Sequence, residues 1–182
     1  MSCNQLKKPD YAVHLPDNAT QLGVESHLRV YQAVSQEIKH LEQRIMAESK
    51  PRASYDIITS MTGVGPILGT TIVLETGDIG RFDQVGHDAS YCRCVKSEKT
   101  SNGKKKGEGN AKSSNKYLSW TFSEAAHFAV RYEPLAKRFY ERKRRRTNGI
   151  VAIRSVAHKL ARAAYYMLRD QARFDAARLF AS

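Results

Sequence analysis

Cysteine is scarce in this 182-residue chain: Cys3, Cys92 and Cys94 are the only three. An odd number without framework spacing excludes a disulfide scaffold and fits a reducing compartment. Cys92-x-Cys94 is one residue tighter than a zinc knuckle and has no second Cys or His pair beside it, so no metal site is expected. Long apolar runs are missing as well. None approaches the ~20 residues that a membrane helix needs, and the opening MSCNQLKKPD has no apolar stretch of the secretory kind. The expectation is a soluble, cytoplasmic chain with no membrane partner. Acidic residues are few: 18 Asp and Glu face 30 Lys and Arg, for a formal charge of +12. Such a surplus points to a polyanionic partner, and nucleic acid is the commonest one. No carboxylates cluster as a two-metal site would require. A phosphate loop is excluded too, because Ala111 stands before Lys112 where G-x-x-x-x-G-K-[ST] needs glycine. Strand-like alternation stands out nowhere, which leaves an all-α class. The length suits one domain with an appended element.

What is there begins after an irregular tail over residues 1–23, which holds Pro9, Pro16 and Asn18 without periodicity. Over 24–50, Val24, Leu28, Tyr31, Val34, Ile38, Leu41 and Ile45 recur at three- and four-residue steps. That stripe predicts a long amphipathic helix, which either packs on the chain's own core or pairs as a coiled coil through residues 24–48, giving a homo-oligomer. Residues 51–92 contain Met61-Thr62-Gly63-Val64-Gly65-Pro66 between two apolar helical patterns, with Pro66 suited to a helix's first turn and Gly77 to its end. This reads as a helix-hairpin-helix. In such a unit the bare backbone of Gly63, Val64 and Gly65 and the dipole of the second helix would face a phosphate, although a plain connector would have the same sequence. Asp83 is placed to cap a short helix carrying Val85, Ala89 and Cys92.

Residues 93–116 are nearly free of large apolar side chains and rich in lysine, with Lys99, Lys104, Lys105, Lys106, Lys112 and Lys116 among their cations. A glycine-laced basic loop of this kind can follow a phosphate backbone. Over 117–172 three helical stripes predict a small bundle. The first carries Tyr117, Leu118, Phe122 and Phe128, the second sets Lys137, Arg138, Arg142 and Lys143 to Arg146 opposite Leu135 and Phe139, and the third runs from Ile150 to Leu168. Its aromatics are expected in the core. Residues 173–182 read as a marginal tail.

The runs ETGDIGRF, ASYCRCVKSEKTSNGKKKGEGNAKSSNKYLSW, EAAHFA, PLAKRFYERK and HKLARAAYYMLRDQARFD resemble the C-terminal transposase domain of the bridge-RNA-guided insertion-sequence recombinases. Those transposases pair a four-acid N-terminal domain with a C-terminal serine. The resemblance covers about residues 25 to 180 and includes the coiled-coil segment. It implies DNA, guide (bridge) RNA and the acidic N-terminal transposase domain as partners, in a bacterial, nucleoid-associated setting. It also implies that Mg2+ sits on that acidic domain and that this chain binds no cofactor. The family's nucleophile corresponds to Ser101 in Thr100-Ser101-Asn102-Gly103, with Ser97 as the rival position, since Asn102 intervenes before the glycine. The family's lysine, glycine and asparagine after the loop correspond to Lys112, Ser114 and Asn115, so serine replaces glycine here.

The expectation is therefore the C-terminal part of a serine-type transposase, truncated relative to its family, which binds nucleic acid but does not cut on its own. A serine hydroxyl is a weak nucleophile until a base or metal takes its proton, and the lysines supply only charge. The alternative is a non-catalytic nucleic-acid-binding or architectural protein, or an inactive transposase remnant.

Overall fold

Asp17 opens the first helix. Its carboxylate accepts from the backbone N–H of Thr20 at 2.8 Å and from the Thr20 hydroxyl at 2.8 Å, which holds its carboxyl below the usual range. Helix α1 (Asn18–Ser49) follows, so residues 18–23, expected as irregular tail, are already helical. The computed structural model describes residues 17–95, 98–102, 104–108 and 114–180. The chain divides into two units, 1–47 and 48–182. In the first, Tyr31, Val34, Ile38, Leu41 and Ile45 stand exposed along α1 at alternating three- and four-residue steps.

In the second unit, helices α2 (Ala53–Thr59) and α3 (Pro66–Thr76) are joined by a tight turn. A 3-10 turn (Ile79–Arg81) follows, started by Asp78, whose carboxylate takes the Gly80 N–H at 2.8 Å. Then comes α4 (Val85–Tyr91). Its cap position is Gln84 rather than Asp83, and no side chain bonds its first turn. Helices α5 (Lys116–Tyr132), α6 (Pro134–Arg146) and α7 (Gly149–Asp170) form the bundle. Asn115, Glu133 and Asn148 each accept a first-turn N–H at their starts, relieving donors that no helix can satisfy internally. Helix α7 is the hub, touching α2, the 3-10 turn, α4, α5 and α6. Alanines 125, 126, 129, 136, 157, 161 and 164 belong to the core and let backbones approach, while Ile58, Met61, Ile72, Leu118, Phe122 and Leu160 fill the remaining volume.

The class is all-α, with one addition. Inside the segment expected as loop, β1 (Glu98–Ser101) and β2 (Lys104–Glu108) pair antiparallel as a hairpin. Asn102 turns it with φ 53°, the left-handed conformation that an Asn-Gly hairpin turn uses. Two other expectations change. Phe122 is core, but Tyr117, Trp120, Phe128 and Tyr132 are exposed. The end of the chain is also packed: α8 (Ala176–Phe180) buries Phe180 against Phe139, the Phe174 N–H reaches Ser60 Oγ at 3.0 Å, and Lys159 Nζ donates to the Leu179 carbonyl at 2.8 Å.

Gly63 decides how the α2–α3 turn meets α5. It has φ +95°, and a Cβ there would lie 2.5 Å from the Ala125 carbonyl oxygen and 2.7 Å from the Ala129 nitrogen. Gly63→Ala should therefore cost about 2–4 kcal/mol in denaturant unfolding, combining left-handed strain with a backbone clash. Gly65→Ala, at φ −83° with nothing within 4 Å of the added carbon, should stay within about 1 kcal/mol of wild type.

Candidate nucleic-acid interface and serine arm

The hairpin springs from a closed root. Arg93, itself left-handed at φ 54°, donates from Nε to Ser114 Oγ at 2.7 Å and from Nη2 to the Ser114 carbonyl at 2.9 Å. The Asn115 N–H bonds the Tyr91 carbonyl at 2.8 Å. These bonds join residues that flank the arm in sequence and tie α4 to the start of α5. On the arm, Ser101 stands opposite Lys104, Thr100 opposite Lys105 and Lys99 opposite Gly107. The register skips from Lys105 to Gly107, which makes Lys106 the extra residue of a bulge. Lys104 is exposed. Lys112 and the rival Ser97 lie outside the described residues.

Asn115 has a dense set of bonds at this root. Its Oδ1 accepts from the Tyr117 and Leu118 N–H groups at 2.8 and 3.0 Å, and its Nδ2 donates to Glu75 Oε2 at 2.6 Å and to the Tyr91 hydroxyl at 3.3 Å. All four hydrogen-bonding capacities of the carboxamide are thus engaged inside the fold. The Asn115 donor, followed by the nearby Arg81, holds the Tyr91 phenol below its ordinary pKa. Arg81 is exposed, with its guanidinium carbon 4.5 Å from the Phe82 ring centre and 4.6 Å from that of Tyr91. Two aromatic faces thus fix a cation beside the arm's root. Lys116 begins α5, its Nζ 5.0 Å from the Tyr117 ring.

The glycine turn lies elsewhere. Gly63 is pressed on α5 at Ala125 and Ala129, ten or more residues from Asn115, or about 15 Å along the helix. Val64 is buried, and its N–H bonds the Met61 carbonyl at 2.9 Å. Only Gly65 of the three is exposed. The geometry therefore places Arg81 beside Tyr91 at the arm's root and keeps that root apart from the turn. A second basic surface is α6, where Lys137, Arg138, Arg142, Arg145 and Arg146 line an open depression with Pro134 and Glu141. Among the described residues, no three His, Cys, Asp or Glu side chains form a group able to hold a metal. Burial pushes Cys94 up to about 12 and Cys92 higher still, so both thiols stay protonated. No described helix is long and apolar enough to cross a membrane.

Residues 55–141 match the model of the transposase IS116/IS110/IS902 family. The chain is 27% identical over 139 residues to an uncharacterised 43.6 kDa protein of insertion element IS110 from Streptomyces coelicolor, covering 76% of this chain and 34% of that protein. It is 26% identical over 148 residues to an uncharacterised 44.8 kDa protein of insertion element IS116 from Streptomyces clavuligerus, covering 80% and 37%. The matches thus span about a third of the length of these curated relatives. They support a transposase domain.

Beneath the arm's root, burial raises Asp88 to about 6 from 3.8, against the Cys92 thiol at 3.8 Å and the positive charge of Arg81, which lower it. A carboxyl raised on folding stabilises most below pH 4, and that stability is lost as the pH climbs to about 6. From pH 4 to pH 7, Asp88→Asn should therefore gain about 2–3 kcal/mol on the wild type, read by urea unfolding at both pH values.

Proposed function

We propose that this chain is the C-terminal part of a transposase of the IS116/IS110/IS902 type, binding DNA and a guide RNA and carrying the serine that exchanges DNA strands. The observation that carries the reading is the family match across residues 55–141. That span contains the whole arm, with Ser101 paired to Lys104 beside its turn. A serine and a cation at one end of a narrow, anchored hairpin form a compact element to present to a phosphodiester.

In this reading the Ser101 oxygen attacks a DNA phosphorus and loses its proton. The bond from phosphorus to one deoxyribose oxygen breaks, and that oxygen leaves as a hydroxyl. The phosphoserine link is reversed when the exchanged strand's hydroxyl attacks the same phosphorus. Lys104, with Lys99, Lys105 and Lys106 on the arm and Lys112 and Lys116 around it, neutralises phosphate charge as the transition state forms. The described carboxylates do not suit Mg2+, so no step on this chain runs through it; the metal belongs with the acidic N-terminal domain that acts as partner. Gly65 offers backbone at the start of α3, while Gly63, Val64 and Asn115 act by holding the fold that positions the arm. The cations of α6 add phosphate contacts away from the reacting bond.

The decisive test mixes the chain with a separately expressed acidic domain of a related transposase, its guide RNA, magnesium and labelled target DNA. A covalent protein–DNA adduct is expected, absent in Ser101→Ala. Tight DNA and RNA binding with no adduct in either protein would instead favour the binding-only alternative. The exposed stripe of α1 supports a further part of this reading, a homo-oligomer formed through residues 24–48. Ile38→Lys with Leu41→Lys should shift the chain to monomer in sedimentation equilibrium, leaving the melting transition of the second unit in place.

A further inference from the structure

Helix α5 turns one face inward, burying Leu118, Thr121, Phe122, Ala125, Ala126 and Ala129. Its neighbouring flank carries four large aromatic side chains that no core covers. Tyr117 is 54% exposed, Trp120 50%, Phe128 40% and Tyr132 64%. At 100° per residue they share one side of the helix, in a row about 22 Å long. The Phe128 and Tyr132 rings are nearly parallel, 5° apart with centroids at 6.4 Å. A cation sits at each end: Lys116 Nζ lies 5.0 Å from the Tyr117 ring, and the Arg131 guanidinium 5.9 Å from that of Tyr132. Glu124 is the acid on this flank, partly exposed between Trp120 and Phe128.

An apolar row of this extent on so charged a chain marks a binding surface. Its chemistry identifies the occupant. Flat rings stack on any base, cations at both ends match a phosphate chain, and Glu124 can accept from a base amino group. A duplex keeps its bases stacked on one another and could use only the cations. We propose that this flank of α5 is a stacking platform for the unpaired bases of a nucleic-acid strand. The proposal rests on the nucleic-acid reading above and adds to it a site for a single-stranded segment, which meets the lysine arm only at Lys116.

Trp120 is the only tryptophan in the chain, so its emission reports on the platform directly. The full chain is titrated with a short oligo(dT), with oligo(rU), and with a mixed-sequence duplex. One or both single strands should quench Trp120, the tighter of them identifying the preferred sugar. Phe128→Leu and Tyr132→Leu should each weaken single-strand binding by about tenfold, while Tyr132→Phe retains it. The salt dependence should keep its slope, because no phosphate contact is removed. Duplex affinity should move much less. Single strands that bind without quenching Trp120, at equal affinity in both leucine variants, would overturn the platform and leave the nucleic-acid reading intact. A wild-type chain that binds neither strand nor duplex would overturn both. The quenching in the unaltered chain decides the matter even if a variant unfolds.

Discussion

Helix α5 is held at both ends by the segment that precedes it, and most of the second unit follows from that double attachment. At its start, Asn115 caps the helix and donates to Glu75 near the end of α3. Toward its far end, the Gly63 turn, just before α3 begins, lies against Ala125 and Ala129 at a separation no side chain could share. The two contacts make α3 and α5 antiparallel neighbours. They also set the rotation of α5, and so which of its residues enter the core and which stay in solvent. The residues that flank the arm close on the same node, because Asn115 bonds Tyr91 and Arg93 bonds Ser114.

The distribution of charge has a related logic. A chain with so large a cationic excess repels itself in its compact state. Part of this is relieved locally: Arg81 lies over Phe82 and Tyr91, and Lys159 is held by a carbonyl and the faces of Phe139 and Phe180. Several acids, meanwhile, serve as helix starts. Asp17, Asp78, Glu133 and Asp175 each accept a backbone N–H in a first turn. Carboxylates used this way are dispersed along the chain, and no described cluster forms that could grip a metal. Among the described residues, exposed cations gather on α6, where Lys137, Arg138, Arg142, Arg145 and Arg146 line one depression suited to a polyanion.

Much of the helical framework was legible in the residues. The absence of strand alternation implied an all-α class, and Pro66 marked a real helix start. The hairpin was legible too, but by another signal. Asn102-Gly103 between two short runs is a strong turn marker, yet lysine-rich strands lack the apolar alternation that draws attention to a sheet. Gly63 was rightly singled out as a place for positive φ; what demands it is the backbone of α5. Asn115, read as a contact to nucleic acid, also caps α5 and donates from its amide to Glu75 and Tyr91. The aromatics of α5 were expected inside because helical spacing shows that residues share a face without showing which face is covered.

By itself, then, the sequence determined most of the helical stretches, the start at Pro66, and that the chain carries positive charge for a polyanion. These are local properties, set by backbone preference, capping and composition within a few residues. Only the tertiary structure decided what each face meets. It pressed Gly63 onto α5, used Asn115 to bind the arm's root to α3, left Tyr117, Trp120, Phe128 and Tyr132 in solvent, and drew the last helix onto Phe139. Those outcomes depend on groups far apart in the chain competing for the same volume and the same hydrogen bonds, and that competition is settled only when the helices pack.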